Sequence, residues 1–353
     1  VGEAAPKRCV KTALWLAEAG SVRYAVLLTT AQRFTEDTGI HVEVVASPGA
    51  AGAEQIAQVF ARVEEAVRGA RSYRGKVLSL ERSRDYAGRS SGMKVHRLRK
   101  VAREEVILPE KTLALLERNV FGFHERREEL KKLGLSAKKG LLFHGPPGTG
   151  KTHTLHYLAT RLEGHTTLII TAEQVGLLDE YMALARLLQP SVVVIEDADL
   201  IARDRAKMDS PCEEVLLNKL LNEMDGLRED ADVLFVLTTN RPEALEAALT
   251  ARPGRIDQAI EFPLPDLEGR RKLVRLYARG LPLDDDLVEH VSQRTEGASA
   301  AFVKELMRRT AQAALERAPG SSVARRDVDA ALEEMLFSGG ALNVKLLGGK
   351  LKA

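Results

Sequence analysis

An α/β fold is predicted for the centre of this chain: a parallel sheet covered on both faces by helices, followed by a small helical domain and preceded by a separate α+β unit. Three observations predict it. Short apolar runs alternate with helical patterns between residues 106 and 265, which suits strands buried on both faces. Beyond Pro265 only helical patterns remain. A glycine-rich loop, Gly145-Pro-Pro-Gly-Thr-Gly-Lys151-Thr152, lies directly after an apolar run and directly before a helical pattern, the order of a phosphate-binding strand, loop and helix.

In chain order, the runs at residues 24–28 and 41–45 read as strands, and the polar stretch between them reads as a helix. Ile56, Val59, Phe60, Val63 and Val67 then recur at helical spacing, an amphipathic pattern. Residues 76–80 and 93–98 alternate in polarity across a polar, glycine-containing segment, which predicts an antiparallel hairpin. The central strand candidates are residues 140–144, 166–171, 191–196, 233–238 and 259–262. Helical patterns follow at 267–280, 284–294, 299–317 and 325–337. The expected domains are therefore 1–105, 106–265 and 266–338, with a glycine-spaced extension at 339–353.

A chain of 353 residues exceeds what one core usually organises. Its 44% hydrophobic and 29% charged residues exclude a disordered chain and a membrane bundle. A net charge of +2 leaves any polyanion binding to local clusters. Cys9 and Cys212 are too few and too far apart for a disulfide framework or a zinc site, which fits a reducing compartment. No stretch is long and apolar enough to cross a bilayer, and the first residues lack the order of a signal peptide. A cytoplasmic location is the expectation.

The phosphate loop carries its own chemistry. Glycines leave backbone N–H groups free to face phosphate oxygens, so Pro147, Gly148, Thr149 and Gly150 are candidate contacts, with His153 next to them. Lys151 is expected to neutralise the terminal phosphates and Thr152 to hold Mg²⁺. The apolar run Ser191-Val-Val-Val-Ile195 ends in Glu196 and Asp197, which a buried sheet avoids without a reason because desolvating carboxylates is costly. Glu196 reads as support for Mg²⁺ and Asp197 as the base that polarises water; capping of the next helix is the plainer alternative. Asp199 reads as structural. Asn240 ends another apolar strand, where it orients water or phosphate. Arg252 and Arg255 flank a Pro-Gly turn that projects them away from their own loop, towards a neighbour's phosphate, unless they are ordinary surface arginines.

The ordered set GPPGTGKT, IEDAD, TTN and ARPGRID resembles the classical AAA (AAA+) P-loop ATPases over residues 121–337. The resemblance implies a five-stranded αβα sandwich, a helical lid, ATP with Mg²⁺ as ligands, and a homo-oligomer, usually a hexamer. It implies adenine contacts at Gly122, Tyr277 and Ala300. Most of the family has Asp then Glu where this chain has Glu196 then Asp197, an order similar to the AAA group containing the mitochondrial respiratory-complex assembly ATPase. Residues 172–176 lack the aromatic that threading members place before the glycine, and Ala300 stands where a glycine is common.

The expected function is ATP-driven remodelling or disassembly of a protein partner by a ring. Two alternatives remain at this point. Residues 71–103 carry eleven Lys or Arg against Glu81 and Asp85, which suits nucleic acid or an acidic protein; the plainer reading is solvated hairpin faces, because only Tyr73 and Tyr86 offer stacking. The reversed acid pair also suits a weakly hydrolysing, nucleotide-switched scaffold. The absence of a guanine-reading NKxD favours ATP over GTP, and the absence of HExxH excludes a fused zinc protease of that type.

Overall fold

The computed structural model describes residues 10, 12–33, 36–69, 72–82, 90–202, 212–227, 231–245, 254–317 and 322–338. The N-terminal unit is an antiparallel meander of β1 (Ala13–Ala19), β2 (Val22–Arg33) and β3 (Glu36–Ala46), with helix α1 (Ala50–Gly69) against β2 and β3. The polar stretch after Leu28, expected as a helix, continues instead as strand to Arg33. Thr29 and Thr30 pair with His41 and Ile40, and Ala31 with Gly39. Threonine suits a pleated sheet, and Gly39 would weaken a helix.

The second sheet contains β4 (Val77–Arg82), β5 (Ser90–His96), β6 (Lys139–His144), β7 (Thr166–Ile170), β8 (Ser191–Ile195), β9 (Val233–Thr239) and β10 (Gln258–Glu261). Its order is β10-β6-β9-β8-β7-β4-β5, with every neighbouring pair parallel except β4 and β5. The five expected parallel strands are present. The hairpin β4–β5, expected within the 1–105 unit, extends this sheet instead. The reason is burial: without β4 the edge of β7 would expose its apolar ladder, whereas Leu78 and Leu80 join Leu168 and Ile170 in one core.

Helices α2 (Glu110–Glu117), α3 (Phe123–Lys132) and α4 (Lys151–Arg161) border the face that packs around Phe143, Leu158, Val194 and Phe262. Helices α5 (Leu178–Leu187), α6 (Ala198–Ala202) and α7 (Cys212–Asp225) accompany the opposite face, with Tyr181, Leu221 and Phe235 in its core. A third core belongs to the lid, formed by α8 (Leu267–Tyr277), α9 (Asp285–Arg294), α10 (Ala300–Arg317) and α11 (Arg325–Glu333). Asp266 and Asp284 cap α8 and α9 by accepting from Gly269 N and Leu287 N, both at 2.7 Å. Buried Arg270 donates to Ser292 O at 2.8 Å and Pro265 O at 2.9 Å, tying α8 to α9 and to the end of the large domain. Among the described residues no helix is long and apolar enough to cross a membrane.

The segment after β7, Ala172–Leu177, is a 3₁₀ turn fastened to the hairpin. Gln174 Nε2 donates to Leu80 O at 2.7 Å, and Leu80 N donates to the hydroxyl of fully buried Tyr181 at 2.7 Å. That hydroxyl in turn donates to Gln174 Oε1 at 3.2 Å. Burial pushes the Tyr181 phenol up to about 12, so it remains a donor at physiological pH. Tyr181→Phe leaves the buried Leu80 N–H without its acceptor and is expected to lower stability by about 1–3 kcal/mol. Urea unfolding checks this, with a shifted midpoint and an unchanged m-value.

Candidate functional site

Topology brings the sequence-predicted groups together. Strand β9 lies between β6 and β8, so the loop after β6, the acids after β8 and the Asn240 turn after β9 emerge side by side at the C-terminal ends of the strands. A cleft of about 370 Å³ opens there. Pro147 to Thr154 line it together with Asp197, Thr238 and Asn240.

The loop fits a phosphate chain. Gly145, Gly148 and Gly150 have φ of 147°, 75° and 99°, the region where glycine is favoured. A Cβ on Gly145 would stand 2.2 Å from Phe262 O, and one on Gly148 would stand 2.8 Å from Ser299 Oγ. The loop is therefore wedged between β10 and the start of α10, and Ala301 N donates to Gly148 O at 3.0 Å. Lys151 is buried, and its ammonium donates to Gly145 O at 2.8 Å and Pro146 O at 2.9 Å. Burial pulls it down to about 8, against the opposing influence of Asp197 and Asp199.

Thr152 Oγ1 donates to Glu196 Oε1 at 3.1 Å, which pairs the two residues expected at Mg²⁺. Asn240 Nδ2 donates to Asp197 Oδ1 at 3.1 Å, and Asp197 N donates to Thr238 Oγ1 at 3.0 Å. Buried Asp199 accepts from Thr239 Oγ1 at 3.0 Å and from Asn240 N at 3.1 Å. It braces the strand ends, the structural part expected of it. Hard oxygen donors beside a cradle of backbone amides suit Mg²⁺ and a nucleotide triphosphate.

Beyond the loop, the cleft is lined by Tyr277 and Ala300, two of the residues expected at adenine, with Leu273 and Lys304. Gly122 does not line the cleft. It ends a π-type turn, Arg118–Gly122, that packs against α4 through Phe121, edge-on to buried Tyr157 at 5.6 Å. The wall is formed instead by Glu105, Val106, Ile107 and Leu108, which the sequence reading missed. The available signal was the apolar triplet just before Pro109. His153 Nε2 lies 3.2 Å from Glu105 O, joining this wall to α4. The Glu105 carboxylate accepts from Arg99 at 2.8 Å and Arg279 at 3.0 Å, so it joins the wall to the lid.

Arg255 lies elsewhere. It follows Gly254 at φ 89°, beside Gly140 at the start of β6, the end of the sheet opposite the phosphate loop. Its side chain is 12% exposed and ion-paired with Asp225, so it lies folded in rather than projecting as expected; Asp225 is an anion within reach. Its Nη1 is buried without a hydrogen-bond partner. Arg252 lies outside the described residues.

The comparisons agree with this geometry. Residues 141–264 match the model of the ATPase family associated with various cellular activities, AAA. The chain carries an AAA ATPase domain. It is 35% identical over 199 residues to a cell division cycle protein 48 homolog of Archaeoglobus fulgidus, covering 54% of this chain and 27% of the relative. It is 33% identical over 194 residues to a proteasome-activating nucleotidase of Methanosphaerula palustris, covering 52% and 47%. It is 29% identical over 230 residues to ATP-dependent zinc metalloprotease FtsH 2 of a Thermoanaerobacter strain, covering 62% and 44%. The matched region thus spans less than half of each of these relatives. ATP and Mg²⁺ are the ligands of such a domain.

A buried lysine poised at about 8 gives the AAA domain a pH signature. Triphosphate raises the Lys151 pKa by favouring its charged form, so affinity is complete below the free-state value and declines as pH rises through it. ATP affinity is expected to be flat below about pH 8 and to fall by up to about tenfold per unit above it. Calorimetry in two buffers of different ionisation enthalpy checks the sign: proton uptake on binding should appear only as pH approaches and passes 8.

Proposed function

We propose that this protein hydrolyses ATP as a ring, usually of six copies in this family, and uses the turnover to remodel or disassemble a protein partner. The observation that carries the ring is the division of charge. The described cleft wall holds the cations Lys151 and Lys304 but no arginine, while Arg255 lies at the opposite end of the sheet, paired with Asp225. Charge developing on a transferred phosphoryl group is best met by a guanidinium. A neighbouring copy supplies one if its Arg255 end abuts this cleft and the guanidinium swings out of its pairing with Asp225.

Within one chain the roles divide by reach. Backbone amides of the loop and Lys151 would hold the phosphates, while Thr152 and Glu196 would hold Mg²⁺. Bound there, Mg²⁺ would neutralise phosphate charge. Asp197, oriented by Asn240, takes the proton of the attacking water. Tyr277, Ala300 and the 105–108 wall enclose the base. Relatives named as a proteasome activator and an ATP-dependent protease support a protein as the partner.

Asp197→Asn is expected to retain ATP binding and to lower turnover by about 10²–10⁴-fold. Arg255→Ala is expected to bind ATP with turnover down by about 10³–10⁵-fold. Mixing the two variants decides the ring: each supplies what the other lacks, so activity should return in proportion to mixed interfaces. Steady-state phosphate release reads the outcome, and a mixture no more active than its components would sink activation in trans.

A further inference from the structure

The basic segment singled out in the sequence lies at an open sheet edge. Strand β5 ends the second sheet, with no strand on its outer side among the described residues. Register puts Lys94 and His96 on the same face as Ser79 and Val77. Beside that face a groove of about 430 Å³ runs between the hairpin and the end of α4. Val77, Leu98 and Leu162 supply apolar lining; Lys76, Arg97 and Lys100 supply positive charge, against Glu163 as the acid.

An unpaired edge displays a row of N–H and C=O groups that pairs with extended peptide. Exposed Lys94, Arg97 and Lys100 oppose a second copy of the same edge by like-charge repulsion and favour a strand of opposite sign. Nucleic acid fits less well. No Phe, Tyr or Trp is among the groove-lining residues, and Tyr73 packs against the core, which leaves bases without a stacking platform. The backbone ladder also has no complement on a sugar-phosphate chain.

We propose that the outer edge of β5 and its groove take an extended acidic peptide segment of a protein partner, which adds as a further strand. Acidic side chains of that segment meet Lys94 at the edge and Arg97 and Lys100 along the groove, and its apolar side chains meet the Val77, Leu98 and Leu162 lining of the same groove. This deepens the protein-partner reading by naming the chemistry of the segment recognised, and it stands apart from the nucleotide chemistry.

The test is fluorescence anisotropy of the full chain with a labelled peptide of about ten residues alternating Glu and Val. Controls are a Lys/Val peptide, an oligothymidylate, and the Glu/Val peptide N-methylated along one edge. Read without nucleotide, failure here leaves the ATPase reading untouched. The acidic peptide is expected to bind, and N-methylation to weaken it at least about tenfold by removing edge hydrogen bonds. The double variant Lys94→Glu, Lys100→Glu is expected to weaken it by at least about tenfold, with ATP turnover unchanged as the check on folding. No binding of the acidic peptide, equal binding of its N-methylated form, or tighter binding of oligothymidylate would overturn the proposal.

Discussion

Asp199 accepting from Thr239 and Asn240 is the interaction on which the site's arrangement depends. It ties the turn after β8 to the end of β9, the strand that separates the phosphate loop from the acids. Thr238 receives the Asp197 N–H from the same side. Two loops that would otherwise move independently therefore share one set of hydrogen bonds. Both bonds fall on Oδ1 of a deeply buried carboxylate and offset part of the cost of burying it. Withdrawing those two donors would raise the cost of burying it, and the placement of Asp197 and Asn240 would loosen with it.

The cleft has a second set of restraints on its base side. Ala301 N reaches the phosphate loop from the lid, Arg279 reaches Glu105 from the end of α8, and His153 reaches the same Glu105 backbone from α4. The nucleotide wall is thus built from the linker, the large domain and the lid at once. Any shift of the lid moves Tyr277 and Ala300 relative to residues 105–108, which gives nucleotide state a direct mechanical path to lid angle. The 172–177 turn adds a path in the other direction. It packs against α6, just beyond the acids, and is fastened through Gln174 and Tyr181 to β4, the strand that continues from the N-terminal unit.

What was legible in the sequence follows from how locally each feature is encoded. The phosphate loop is legible because one continuous stretch must satisfy glycine conformation, strand exit and helix entry together. The lid helices are legible because their apolar stripes and their Asp266 and Asp284 caps are local. The placement of β4 was not, because an alternating hairpin looks the same whether its apolar face meets its own domain or the edge of β7. Gly122 failed for a related reason: a backbone wall contact leaves almost no residue signature, and residues 105–108 met the cleft instead. The orientation of Arg255 depended on Asp225, thirty residues away in sequence, a contact that no local pattern records.

The reversed acid pair has a physical basis in the backbone. Glu196 directly follows β8, its N–H still donating to Ile170 O of β7 at 3.0 Å. From the end of the strand its longer side chain reaches Thr152. Asp197, alone among the described non-glycine residues, has a positive φ, at 49°. Aspartate tolerates the left-handed region better than longer side chains do, because its short carboxylate can bond locally. In that turn Asp197 is brought to Asn240 by the backbone rather than by side-chain length. The order Glu then Asp therefore matches a longer reach at the strand end with a shorter one in the turn. Exchanging the two would leave a short arm facing Thr152 and place a longer residue in a strained conformation.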